Sequence, residues 1–330
     1  MMRLPDLHAP LDDAEAETVF GAILDGEMPD DQIIAFLVAL SERGETASEI
    51  TGAARAMRAR MIPIDAPANA IDVCGTGGDG HHTLNVSTAV AIVVAACGVP
   101  VAKHGNRAAS SKAGAADTLE ALGLDLDRAA ETAEATLKDI GICFLFAAKH
   151  HPAMGRMMPI RKAIGRRTIF NLMGPLANPA RVSRQLVGIA RPAYVPIYAE
   201  ALLRLGTEHS LVVSGDEGLD ELSLAGGNEL AEIRDGQIAM HRIVAADAGL
   251  PSSPVSAIQG QEPAFNAAAL RRLLQGEQGP YRDAVLFNAA GGLVIAGAAA
   301  DWREGVEEAA EAIDKGLANA LLDCWITACK

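Results

Sequence analysis

From Ala14 to Arg60 apolar residues recur at three-and-four spacing, as in TVFGAILDGEMPDDQIIAFLVALSERG, with Gly or Pro between the repeats. That period describes one face of a helix, so this stretch is expected to form a small helical unit. At Ala70 the pattern changes. Short apolar runs now alternate with helical ones: AIDVC as strand, TAVAIVVAACG as helix, VPVAKHG as strand, DTLEALG as helix and ICFLFA as strand. This rhythm implies parallel strands with crossover helices. From His151 to Leu176 two Pro-started helical pieces interrupt it and are expected to return to the helical unit. The alternation resumes with HSLVVSG, followed by an antiparallel stretch, NELAEIRDGQIAMHRI, around a DG turn. NAAGGLVIAG and a helix from Trp302 to Thr327 close the chain. The expected architecture is α/β: an all-helical domain over 1–66, joined by helices from about 151–180, and a larger α/β domain over 67–330 with a mostly parallel central sheet.

Two strand-to-helix junctions carry glycine-rich loops, DVCGTGGDGHHTLNVST (Asp72 to Thr88) and VAKHGNRAASSKAGAADTLEALG (Val101 to Gly123). Glycines let the backbone turn N–H groups toward an anion, and the helix start adds unpaired donors and partial positive charge. Two such turns in succession suggest a ligand with two phosphate groups. Gly75, Gly77 and Gly80 also match G-x-G-x-x-G, but a dinucleotide site needs an acidic residue at the end of the second strand. Here that strand ends in Lys103 and His104. A cation there points to another phosphate.

Half of the 330 residues are apolar, enough for a large core, and the net charge of −14 argues against a nucleic-acid partner. The five cysteines, Cys74, Cys97, Cys143, Cys324 and Cys329, form no C-x-x-C pair and read as reduced thiols, mostly in the core. The apolar run from Ala89 to Ala102 is too short for a membrane span and reads as a buried helix and the strand after it. Together these features are expected of a soluble, cytoplasmic enzyme.

GTGGDG-x-x-T-x-N-x-S-T, KHGNR-x-x-S-S, HPAM…P-x-R…RTIFN-x-x-GPL-x-NP and GLDE-x-S occur in this order between Gly75 and Ser223. In these motifs the chain resembles the anthranilate phosphoribosyltransferases. The resemblance implies a nucleoside phosphorylase/phosphoribosyltransferase-type fold and transfer of phosphoribose from 5-phosphoribosyl-1-diphosphate to the amino group of anthranilate, in tryptophan biosynthesis. It implies a donor site made by Gly75, Gly78, Asp79, Thr83, Asn85, Val86, Ser87 and Thr88 on the first loop. The second loop would add Lys103, His104, Gly105, Asn106, Arg107, Ala108, Ala109, Ser110, Ser111 and Ala115. Read from the residues alone, Asn85 and Ser87 could equally cap a helix. Lys103 reads as a mobile point charge for the diphosphate.

Charge neutralisation at a diphosphate points to Mg²⁺, which takes hard oxygen ligands and keeps several waters. The acidic run SGDEGLDELS follows a strand and holds two pairs, Asp216-Glu217 and Asp220-Glu221. By itself it could be a solvated turn. The family motif selects Asp220 and Glu221, with Ser87 as a further contact, for two magnesium ions. For the acceptor, the resemblance assigns Gly75, Asn106 and Arg161, a guanidinium being able to hold a carboxylate by two parallel hydrogen bonds. The plainer reading pairs Arg161 with a carboxylate on a neighbouring helix. Met154 and Pro152 could line the acceptor's channel, and the histidines His81, His82 and His151 show no metal spacing and take no catalytic assignment.

The chain departs from the family pattern at Gly226-Gly227-Asn228, where G-P-T is common, at Gly155 in place of lysine, and at Ala115 in place of serine. The resemblance also implies a homodimer, expected to form through the helical unit, whose apolar stripe looks too broad for so small a unit to bury alone. A pyrimidine-nucleoside phosphorylase and a non-catalytic nucleic-acid-binding relative remain the alternatives.

Overall fold

A computed structural model describes residue 6, residues 9–108 and residues 112–330; Ala109, Ser110 and Ser111, expected at the donor site, lie outside the described residues. Helices Asp13–Asp25, Asp30–Arg43 and Ala47–Arg58 form the expected helical unit. The first and third start on side-chain caps, while the second follows Pro29 without one. The Asp12 carboxylate accepts from the N–H groups of Ala14 and Glu15 at 2.9 and 2.8 Å. Thr46 and Glu49 form a reciprocal capping box, a device that stabilises a helix start by about 1 kcal/mol.

Seven strands make one sheet: β1 (Ile71–Gly75), β2 (Val101–Gly105), β3 (Ile142–Phe146), β4 (Arg184–Gly188), β5 (His209–Gly215), β6 (Asn228–Arg234) and β7 (Gln237–Ile243), in the order β3-β2-β1-β4-β5-β6-β7. The first five are parallel, and β6 and β7 add antiparallel to β5. Asp235 and Gly236, with φ of 51° and 75°, make the tight DG turn between them, both central residues being left-handed as a type I′ hairpin requires. β4, the central RQLVG strand, is absent from the sequence reading. Its run is only five residues long and follows the irregular NPARVS stretch. The single C-terminal helix expected from Trp302 to Thr327 is in fact two, Trp302–Asp314 and Leu317–Ala328, broken where Gly316 turns left-handed at φ 73°. NAAGGLVIA lies inside helix Pro280–Ala296.

Period-2 alternation sends successive strand residues to opposite faces. Ile71, Val73, Leu186, Leu211 and Val213 face a core with helices Val86–Ala96 and Pro280–Ala296. Val187, Val212, Ala231 and Ile233 face the other side, where they share one continuous core with helix Val195–Arg204 and with Phe20, Ile23, Ile33, Leu37 and Ile50 of the helical unit. Helix Ala153–Ile164 contributes Met157 and Ile160 to that core. Burial of each such aliphatic side chain contributes about 1.5–3 kcal/mol. This corrects the argument for a second copy: the apolar stripe is buried within the chain, and none of the exposed large apolar side chains among the described residues, Ile62, Met158, Met240, Val244, Phe265 and Leu317, belongs to the three N-terminal helices.

Candidate active site

β1 has β2 on one side and β4 on the other, so its C-terminal end is the point where successive connections diverge, the place where open α/β sheets bind ligands. The first glycine loop starts there. Thr76 donates to Gly188 O at 2.9 Å, and Gly77, Gly78 and Gly80 take φ of 72°, 73° and 81°, a left-handed path that glycine follows without strain. Gly77 N–H donates to Asp220 Oδ2 at 2.6 Å. Arg167 Nη1 donates to the carbonyls of Gly77 and Gly78 at 3.0 and 2.6 Å. The N–H groups of Gly78, Asp79 and Gly80 have no partner among the described residues. Further on, the loop is pinned to the 258–260 segment through Leu84 N–H to Ile258 O and Gly260 N–H to His82 O, both 2.8 Å, with Thr83 bridging Gln259.

The acidic run divides its four carboxylates into two uses. Asp216 accepts from Arg242 Nη2 on both carboxylate oxygens, at 2.8 and 2.7 Å, and Glu217 accepts from the Ser223 hydroxyl. A Cβ at Gly227 would displace the Arg242–Asp216 pair. Asp220 and Glu221 turn toward the loop instead. Glu221 Oε1 accepts from Ser87 N–H at 3.2 Å. Burial, then the neighbouring Asp79 carboxyl, raises the pKa of Asp220; burial, then Asp220, raises that of Glu221, with Lys103 opposing. Asp220 comes so close to the strand ends that a Cβ at Gly75 would overlap its carboxylate and one at Gly188 its backbone carbonyl.

These residues fit a magnesium ion. Crowded carboxylates beside the Ser87 hydroxyl are hard donors short of positive charge, and no group of three or more His, Cys, Asp or Glu able to hold a metal occurs among the described residues. Mg²⁺ is commonly held by one or two carboxylates with the rest of its shell from water and substrate phosphate.

Lys103 departs from expectation. It is not mobile: its side chain is 2 % exposed, and its ammonium donates to Val73 O at 2.9 Å and Ser87 Oγ at 3.3 Å. Beneath it lies Asp72, fully buried, which accepts from Asn178 Nδ2 at 2.8 Å and from the N–H of His104 at 3.2 Å. Burial raises the pKa of Asp72 and Lys103 opposes it. Asp72 and Asn178 escaped the sequence reading; a carboxylate within the apolar AIDVC strand was the available signal.

The second loop is tied to its own helix, Ala115–Ala121. Asp117 Oδ2 accepts from the N–H groups of Ala108 and Gly114 at 2.9 and 3.0 Å, while Arg107 pairs with Asp117 and Glu120 and lies over the Phe146 ring. Asn106 is exposed, and its Oδ1 accepts from Arg107 N–H at 2.8 Å. Asn85 joins the two loops. It precedes helix Val86–Ala96 as its first cap residue, but its side chain makes no capping bond: its Oδ1 accepts from Thr118 Oγ1 at 2.6 Å and Asn266 Nδ2 at 2.9 Å, and its Nδ2 donates to Ala113 O at 3.2 Å. Tyr281 OH donates to its carbonyl at 3.1 Å. Val86, Ser87 and Thr88 open helix Val86–Ala96 directly after it.

On the acceptor side, Arg161 lies half-buried in helix Ala153–Ile164. Its side chain has no hydrogen bond or ion pair among the described residues, which removes the plainer reading of a neighbouring carboxylate, and burial lowers its pKa. The rings of His104 and His151 approach to 5.1 Å between centroids. Burial and then a neighbouring imidazole lower their pKa values to about 3 and about 4, and both Nε2 atoms are buried without a partner among the described residues. Met154 packs against the core of the helical unit and Pro152 is exposed. Gly155 is exposed with open space around it.

The chain matches the model of the glycosyl transferase family a/b domain over residues 67–319 and that of the family's helical bundle domain over 7–61. It is 80% identical over 328 residues to an anthranilate phosphoribosyltransferase of Novosphingobium aromaticivorans, covering 99% of both chains, and 52% identical over 313 residues to that of Rhodospirillum rubrum, covering 95% and 90%. Among solved structures it superposes on the Thermus thermophilus anthranilate phosphoribosyltransferase with a TM-score of 0.91 at 43% identity, covering 98% and 97% of the two chains. On the Saccharomyces cerevisiae enzyme in complex with PRPP and Mg the TM-score is 0.88 at 28% identity, covering 97% and 93%.

Proposed function

The chain belongs to the anthranilate phosphoribosyltransferases, and from that premise we propose how its residues do the work. The reaction moves the phosphoribosyl group of 5-phosphoribosyl-1-diphosphate to the amino group of anthranilate, giving N-(5-phosphoribosyl)anthranilate and diphosphate. The bond from C1 to the diphosphate oxygen breaks, the bond from C1 to the amine nitrogen forms, and the amine's surplus proton leaves to solvent. The transition state has oxocarbenium character, as in glycoside cleavage, and asks the protein for no nucleophile.

The unpartnered N–H groups of Gly78, Asp79 and Gly80 take the donor's phosphate oxygens, with Ser87, Thr88 and the second loop beside them. Lys103 acts from below, holding Ser87 and offsetting Asp72 and Glu221. Asp220 and Glu221 with Ser87 hold magnesium, two ions by the family pattern, which when bound supplies positive charge against the leaving diphosphate. Arg161, which has no ion pair among the described residues, takes the anthranilate carboxylate, with Asn106 and Gly75 at the same end of the sheet. The observation that carries the assignment is the hydrogen bond from Gly77 to Asp220, which brings the carboxylate pair onto the anion loop.

We place the domain division between residues 66 and 67, read the working form as a homodimer with each site complete in one chain, and locate it in the cytoplasm. A monomer by sedimentation at micromolar concentration would remove the dimer. The activity is tested by loss of anthranilate fluorescence on addition of phosphoribosyl diphosphate, Mg²⁺ and protein; persistent fluorescence, or cleavage of thymidine by phosphate, would overturn the reading.

A further inference from the structure

Arg167 belongs to RTIFN, where it had no role in the sequence reading. It follows helix Ala153–Ile164, in the segment that packs with the helical unit, yet its guanidinium reaches the donor loop. Its main chain is tied to the helical unit, since Ser41 Oγ of helix Asp30–Arg43 donates to Arg167 O at 3.1 Å. Its neighbour Arg166 points back to the same helix, donating to Val38 O and Glu42 Oε1, both at 3.0 Å.

A peptide unit is planar and trans, so its C=O and N–H point in opposite directions. The carbonyls that Arg167 holds are those of Gly77 and Gly78, and the same peptide units carry the N–H groups of Gly78 and Asp79. Those two donors are unpartnered among the described residues. Glycine at 78 is favoured by its φ of 73°, and a Cβ there would push the guanidinium off its carbonyls. Nothing else among the described residues fixes these two peptide planes from outside the loop; Asp220 holds only the preceding N–H, that of Gly77.

We propose that Arg167 is a positioning residue for the phosphoribosyl diphosphate donor: by holding two loop carbonyls it aims the N–H groups of Gly78 and Asp79 at the phosphate, and it makes that aim depend on the seating of the helical unit. The inference rests on the proposed donor site. Arg167 does not itself touch substrate.

The test compares Arg167→Ala, Arg167→Lys and Arg166→Ala by steady-state kinetics and by calorimetric binding of Mg²⁺-phosphoribosyl diphosphate, which reads independently of turnover. Arg166→Ala removes the same charge one residue away. Arg167→Ala is expected to raise the donor KM and Kd about tenfold, with the anthranilate KM moved less than about twofold, since two charge-assisted hydrogen bonds are lost. Arg167→Lys, with one point donor in place of a fork, should fall between. Arg167 is only half-buried and lines a cleft open to solvent, which gives added guanidinium a way into the space its side chain leaves, so millimolar guanidinium should restore donor affinity to Arg167→Ala. Unchanged donor binding, an equal loss in Arg166→Ala, or a loss that guanidinium does not relieve would overturn the proposal. Wild-type protein that binds the donor but consumes no anthranilate would instead count against the proposed function.

Discussion

The first glycine loop is held by side chains that arrive from far along the chain: Asp220 on Gly77, Arg167 on two carbonyls and the 258–260 segment on Thr83 and its neighbours. The second is braced by Asp117 and Glu120 of the helix it runs into. The first can therefore answer to events elsewhere in the molecule, while the described part of the second is held chiefly at short range, apart from the bond from Asn85 to Ala113 O and the Phe146 ring under Arg107. Contacts separated by more than a hundred residues, such as that between Gly77 and Asp220, make loop shape a property of the whole fold.

The largest expected effect falls on the externally held loop. Asp220→Asn or Glu221→Gln should lower turnover by about two orders of magnitude or more, the scale of removing a preorganised electrostatic partner from a transition state; full activity in EDTA would separate the carboxylates from any metal role. Arg161 lies outside both loops and calibrates them. Arg161→Ala should raise the anthranilate KM about tenfold to a hundredfold and leave donor affinity nearly unchanged, and calorimetry showing the reverse would exchange the two sites. Asn85 is where the loops meet, so Asn85→Ala should raise donor KM about tenfold and lower stability by about 1–3 kcal/mol, the cost of stranding buried partners. A loss of stability alone would leave Asn85 as a brace and nothing more.

At the root of the second loop, His104 has its pKa pushed down to about 3 by burial. A folded-state pKa below the unfolded value of about 6.5 means that protonation favours the unfolded chain. Stability should therefore be full above pH 6.5 and fall as pH drops toward 3, by at most about 1.4 kcal/mol per pH unit for this one group. Chemical denaturation of His104→Asn should show a shallower acid limb. The smallest effect is expected at Arg107, whose partly exposed ion pairs contribute at most about 1 kcal/mol. Arg107→Ala should move donor KM less than about threefold; a tenfold change would mean that Arg107 leaves its carboxylates for the donor and that the short-range brace of the second loop gives way.

This contrast also explains what could be read from the sequence. The two strand-loop-helix junctions are local, so glycines, flanking apolar runs and the DG turn revealed them. The motif segments marked Asp220, Glu221 and Arg161 because their spacing survives as text. Lys103 was misread as mobile because burial under a loop is a tertiary fact: its ammonium is enclosed by Val73 and Ser87, which no local pattern announces. The apolar stripe of residues 14–60 was legible, but not what covers it, since its cover includes Val187 and Val212 from strands β4 and β5. β4 itself was missed because five residues at the centre of a sheet carry little periodicity.

That shared cover bears on how the chain can be recombined. Residues 7–61 match a family model of their own, which invites treating them as an exchangeable cassette. The apolar surface they present is complementary to one face of the sheet and to helix Val195–Arg204, down to Val187, Val212 and Tyr198. A chimera that takes this segment from one relative and the sheet from another inherits two halves of a single packing solution, and must be matched at those buried positions rather than at the linker that joins them.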